Sequence, residues 1–250
     1  MELPAPDLQR IRELYTLGQY RQALAVGAAH GPVRSWCGAP ARLLAGRLAI
    51  QLGAPRLGHQ LHLAAFREYP ANLEAIYYHA RFRMERFGPL SALRFARLHA
   101  DWSDAPPGLR ADWLGIQALI YARLQDFDRA EKAIAQAEAG ATDRAWIFVE
   151  RASVLELCER PAEAMDAARR ALELQPWFRP AVQSVAHLLQ RDGREADAIE
   201  FLREAQPHID GGVVPAQLAT LQYDLRRYAD ARSSLDEFEA LSPLIEDEVR

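Results

Sequence analysis

The segment LQDFDRAE at residues 124–131 recurs as CERPAEAM at 158–165, GREADAI at 193–199 and RRYADAR at 226–232. It recurs more loosely as LGQYRQAL at 17–24 and RFGPLSAL at 86–93. Each copy closes a helical stretch with a glycine or polar turn. A Tyr, Phe, Pro or Glu follows, with a small residue three positions later. Aligned on that residue, the chain shows Ala23, Gly58, Ala92, Ala130, Ala164, Ala198 and Ala231, at steps of 35, 34, 38, 34, 34 and 33. Twelve residues earlier stand Ile11, Gly46, Ala80, Ala118, Ala152, Ala186 and Ala219. A register held at this period marks an array of structural repeats.

The pattern has a direct physical reading. Two antiparallel helices approach closely only where small side chains face each other, and the paired Gly/Ala positions supply that contact. Apolar residues between them recur at helical spacing, as at Leu114, Ala118, Tyr121 and Ala122. Pro55, Pro89 and Pro161 fall where a second helix begins, and a first-turn proline forfeits no hydrogen bond. No stretch shows the β-branched alternation of a strand. The spacing therefore predicts an all-α chain, an α-solenoid of about seven helix–turn–helix repeats. They fall at 5–37, 39–72, 73–106, 111–144, 145–178, 179–211 and 212–245, with 246–250 the start of a further helix or a frayed end. The 38-residue step places a turn-rich insertion at DWSDAPPG, 101–108.

These repeats resemble the tetratricopeptide repeat (TPR), a helix–turn–helix of the same period with small and aromatic residues in these positions. Tyr20, Phe127 and Tyr228, and the prolines Pro70, Pro176 and Pro243, carry the likeness best. The first-helix position that is large in the family holds Leu114, Phe148 or Val182 rather than tryptophan. His30, His62 and His99 occupy positions that are usually apolar. The resemblance implies a right-handed superhelix whose first helices line a concave groove, and a protein–protein interaction scaffold rather than an enzyme.

Composition narrows the ligand. The chain has 250 residues and a formal net charge of −4, with Lys132 its only lysine and Asn72 its only asparagine. The carboxylate clamp of co-chaperone TPRs uses two lysines, two asparagines and an arginine, so the single Lys132 and Asn72 exclude binding of chaperone tails in that manner. The charge is divided: residues 1–110 hold 14 basic and 8 acidic side chains, the remainder 16 and 26. A general nucleic-acid binder concentrates positive charge throughout, so nucleic acid is a poor fit. The opposed ends suggest head-to-tail homo-oligomers through the C-terminal end.

No GxSxG, P-loop, HExxH or GxGxxG pattern is present. Cys37 and Cys158 are read as small buried hydrophobes rather than nucleophiles. His59 and His62 have a metal-compatible spacing but no third ligand nearby in sequence. The reading is therefore no catalytic residue, no metal and no cofactor. No apolar run approaches the roughly 20 residues of a membrane helix, so no membrane partner is expected. The start lacks a secretory pattern and the cysteines lack disulfide spacing, so a cytoplasmic protein is expected.

What remains is a surface. Immediately after the small position of the first helix, the first three repeats carry Arg12, Arg47 and Arg81, one repeat apart. Tyr15, Tyr77 and Tyr78 interleave aromatic rings on the same side, and Arg123 extends the stripe. Leu119, Ser153, His187 and Thr220 follow at the same position where the chain turns acidic. The expectation is a groove that grips an acidic peptide or protein segment, because the arginine fork binds carboxylates bidentately and tyrosine supplies rigid contact area. In the competing reading these arginines pair with Glu13, Glu74, Glu85 and Asp112 and merely solvate the wall. Two other functions compete. The register of repeats two to six, followed by SPLIEDEV, resembles the TPR region of bacterial proteins with a C39-like peptidase domain, which would make this chain a substrate-recognition part of a larger enzyme. An RNA-binding helical repeat is the other.

Overall fold

The structure is a computed structural model that describes residues 2–245; the segment expected at 246–250 lies outside them. Among the described residues there are fourteen α-helices and no strand. In order they are α1 Ala5–Thr16, α2 Tyr20–Ala28, α3 Ala39–Gln51, α4 Pro55–Glu68, α5 Leu73–Phe87, α6 Pro89–Leu98 and α7 Pro107–Arg123. They continue as α8 Phe127–Gly140, α9 Ala145–Leu157, α10 Pro161–Leu174, α11 Arg179–Arg191, α12 Glu195–Ala205, α13 Val213–Asp224 and α14 Tyr228–Ala240. The architecture is an all-α helical-repeat solenoid.

The small positions do what their size predicts. All their alanines are buried. In the second repeat a Cβ on Gly58 would lie 2.6 Å from the Gly46 carbonyl oxygen, and one on Gly46 would lie 2.4 Å from the His62 ring. His62 is buried and its Nε2 bonds the Leu43 carbonyl at 3.2 Å, so this histidine is a packing residue that replaces apolar bulk. Pro55, Pro89 and Pro161 each open a second helix, as expected. The turn before the second helix needs a left-handed residue. Gly18 and Gly53 supply it freely, whereas Gln125, Glu159 and Arg226 adopt φ of 57–61° there at some strain.

The described residues divide into two compact units, one made of residues 71–194 and the other of residues up to 70 together with those from 195 onward. In the 71–194 unit, α5 packs on α6, α7 on α8 and α9 on α10, and the first helices α5, α7 and α9 also pack in succession. The insertion is anchored rather than loose: Trp102 is buried and stacks on Trp113 with centroids 4.2 Å apart.

The other unit joins the two ends of the chain. Here α1 packs on α2, α3 on α4, and α13 on both α12 and α14. Arg21 of α2 forms an ion pair with Asp210, whose backbone N–H donates to the Gly18 carbonyl at 3.2 Å. The Leu244 N–H donates to the Leu52 carbonyl at 3.1 Å. A Cβ on Gly53 would lie 2.6 Å from Ser242, so glycine permits the close approach. One pair of opposite charges from the two ends, Arg21 and Asp210, thus meets within this unit.

Candidate functional site

The stripe of arginine and tyrosine falls in both units, and each part has its own geometry. In the unit that joins the chain ends, Tyr15 projects from α1 and Arg47 from α3. The Arg47 guanidinium lies over the Tyr15 ring, 4.1 Å from its centroid. The Tyr15 hydroxyl accepts a hydrogen bond from Gln51 Nε2 at 3.3 Å, and the ring packs against Tyr20 at 5.1 Å. Arg12 is exposed on α1 and forms no ion pair among the described residues.

In the 71–194 unit the equivalent arginine is locked. Arg81 of α5 donates from Nη1 to Glu150 of α9, whose side chain is only 3% exposed. The same nitrogen donates to the Tyr77 hydroxyl at 3.3 Å, and the guanidinium lies over the Trp146 ring at 4.8 Å. Trp146 Nε1 donates to the same Tyr77 hydroxyl at 3.1 Å, so one phenol oxygen ties α5 to α9. Gly115 of α7 lies beneath this crossing: a Cβ there would come 3.4 Å from the Glu150 Cγ. Tyr78 is half-buried and meets Tyr77 edge-on at 5.1 Å. Arg123 is exposed at the end of α7.

Burial shapes the electrostatics here. It pushes the Tyr77 phenol well above its usual value. It works against the Arg81 charge, but the Tyr77 oxygen and the Glu150 carboxylate outweigh it, and the guanidinium is held above its ordinary value. Beside this group Arg144, the residue before α9, grips both carboxylate oxygens of Asp112 of α7, at 3.0 and 2.7 Å. Burial raises the Asp112 pKa despite Arg144. The absence of a Cβ at Gly108 leaves room for that guanidinium, which would otherwise come within 2.6 Å.

No protein-family model matches the sequence, and no curated protein matches it. Solved structures do. A thermophilic TPR protein of Thermus thermophilus superposes with a TM-score of 0.54 at 21% identity, over 78% of this chain and 98% of that one. The chain has the tetratricopeptide-repeat fold. Looser superpositions are given by pilF of Pseudomonas aeruginosa, at a TM-score of 0.49, 18% identity and coverage of 68% and 76%. MamA follows at 0.40 and 16%, covering 61% and 87%.

Within this TPR framework the structure brings Tyr15 to Arg47 and Tyr77 to Arg81, with Tyr78 against the Tyr77 ring. Arg12 and Arg123 make no such aromatic contact among the described residues. Of the acidic partners considered from sequence, Glu13 pairs with Arg10 and Asp112 with Arg144. Sequence reasoning does not give the partner of Arg81. A signal for it exists: two positions before the small first-helix residue the repeats read Gln9, Leu44, Tyr78, Ile116, Glu150, Ser184 and Gln217, so Glu150 is the one acid in an uncharged column. Asn72 is spent as the cap of α5, accepting from the Ala75 N–H at 2.9 Å. Cys37 is exposed rather than the buried hydrophobe expected, because it follows the short turn at Val33–Ser35, where its Sγ donates to the Ser35 carbonyl at 3.3 Å. Cys158 is half-buried, and burial pushes its thiol up, the opposite of an activated thiolate. None of the described helices is long and apolar enough to cross a membrane.

Proposed function

We propose that this chain is a non-enzymatic protein-interaction scaffold that holds an acidic peptide or protein segment against its first-helix arginines. The observation that carries this reading is the Arg81–Glu150 pair. There a carboxylate is held by a guanidinium that itself lies over the Tyr77 and Trp146 rings, which illustrates the chemistry this repeat position satisfies. Arg12, exposed on α1 beside the Arg47–Tyr15 contact and in no ion pair among the described residues, offers the same chemistry to a ligand. In this reading Tyr77 and Arg81 tie α5 to α9, while Arg12, Tyr15 and Arg47 make the contacts within the unit that joins the chain ends.

The test is fluorescence anisotropy of a labelled glutamate-rich peptide with the wild type and with an Arg12→Glu, Arg47→Glu double variant. Affinity is expected to fall by at least roughly tenfold, about 1.4 kcal/mol. Equal affinity in the two proteins overturns the assignment.

A further inference from the structure

A second exposed surface lies outside the arginine–aromatic stripe. Between Glu85 and Asp101 the chain contains no acidic residue, and this stretch includes the whole of α6. Arg86, Arg94 and Arg97 are exposed there and form no ion pair among the described residues. Arg94 and Arg97 lie three apart on one helix, a spacing at which like charges repel. Leu90 and Leu98, on the same face as Arg94, are 61% and 82% exposed. Leucines this open beside unneutralised arginines gain nothing from the fold itself.

Next to this face, α6 and α7 enclose a cavity of about 110 Å³ lined by Leu93, Ala96, Arg97, Ala100, Ile120 and Tyr121, with Gln117 at its edge. An apolar cavity near 150 Å³ takes a benzene molecule, so this volume suits one aliphatic side chain. Its lining is mostly apolar. The polar groups around it, the Arg97 guanidinium, the Gln117 amide and the Tyr121 hydroxyl, make no hydrogen bond among the described residues.

We infer that the α6–α7 cleft is a second peptide-docking site, taking a segment in which an aliphatic residue adjoins Asp or Glu. The aliphatic side chain fills the cavity, Arg97 meets the neighbouring carboxylate, and Leu90 with Arg94 continues the same pairing along α6. Arginine suits this because its planar fork engages a carboxylate in two hydrogen bonds. Nucleic acid fits less well, since neither α6 nor the cavity rim offers a stack of open aromatic faces.

The experiment pans a displayed library of random short peptides against the purified full chain. Recovered peptides are then titrated against the wild type, Arg97→Glu, Ala100→Trp and the Arg12→Glu, Arg47→Glu variant. Arg97 and Ala100 are both exposed, so the fold should survive each change, which thermal unfolding checks. The expected peptides pair Asp or Glu with Leu, Ile or Val. They lose roughly tenfold in affinity or more, ~1.4 kcal/mol, with Arg97→Glu and with Ala100→Trp, and keep it with the double variant. Peptides insensitive to both cleft changes, or lacking acidic residues, overturn the inference. So does failure to recover any peptide, including the case in which a uridine-rich oligonucleotide or phosphatidylserine vesicles bind through Arg97 instead.

Discussion

Arg47 and Arg81 occupy the same position of successive repeats and have different surroundings. The Arg47 guanidinium lies over the Tyr15 ring, whereas Arg81 is ion-paired to a carboxylate that is almost wholly buried. Arg81 is reached by Glu150 of α9, which passes over Gly115 of α7. A guanidinium on an aromatic face is held by its flat side, while its donors lie along its edge. One that already holds a buried internal carboxylate has become part of the scaffold.

The largest effect should come from breaking the Arg81 pair. Glu150→Ala leaves a mostly buried guanidinium without its carboxylate and should cost about 3 kcal/mol of stability in urea unfolding, the low end for a buried pair because the arginine side chain stays 20% exposed. An Arg81→Met, Glu150→Leu double variant should recover most of that loss, since a well-packed apolar pair often replaces a buried ion pair without penalty. If Glu150→Ala is as stable as wild type, Arg81 is not held by Glu150 and the contrast fails.

A smaller effect separates the two tyrosines. Tyr77→Phe takes away the acceptor shared by Trp146 and Arg81, so stability should fall by about 1–2 kcal/mol. Tyr15→Phe removes one longer bond from Gln51 and should cost less, about 0.5–1 kcal/mol. Chemical denaturation of both, side by side, reads the ranking. The reverse order would place the rigid element in the wrong unit.

The smallest effect lies at the same repeat position further along. His187 of α11 bonds Glu156 at 2.7 Å, and Glu156 also meets Arg191. The hydrogen bond with Glu156 raises the His187 pKa. A raised folded value means its stabilisation is complete below the unfolded histidine pKa near ~6.5 and is lost as pH rises through the elevated one. His187→Gln should flatten stability in that window by only about a few tenths of a kcal/mol, because the pair is half exposed. Unfolding midpoints measured at pH 6 and pH 8 test it; an unchanged pH dependence in the variant would show that His187 makes no contribution.

The helices, the small paired positions and the opening prolines were all legible, because each is a local demand of helix geometry that recurs along the chain. The stripe was legible as a set of positions and illegible as a set of states. Repeat register says that Arg12, Arg47 and Arg81 are equivalent, yet their environments depend on side chains more than thirty residues away. The lone acid at Glu150 was visible as an oddity in its column. That it would cross Gly115 to reach Arg81 depends on how closely α5, α7 and α9 pack, which repeat spacing does not encode. The opposed charges of the chain ends were equally visible, and sequence alone could not distinguish pairing between molecules from the Arg21–Asp210 contact within one.

By itself, then, the sequence determined a helical-repeat array, where its helices begin, and the lack of a lysine–asparagine clamp, since all of these follow from composition and short-range periodicity. Only the tertiary structure decided that Arg81 is spent on Glu150, that Trp102 anchors the insertion on Trp113, and that the two chain ends share one compact unit. The physical reason is the same in each case: a buried charge or ring is satisfied by whichever group packing brings within hydrogen-bond or van der Waals reach, whatever its distance along the chain.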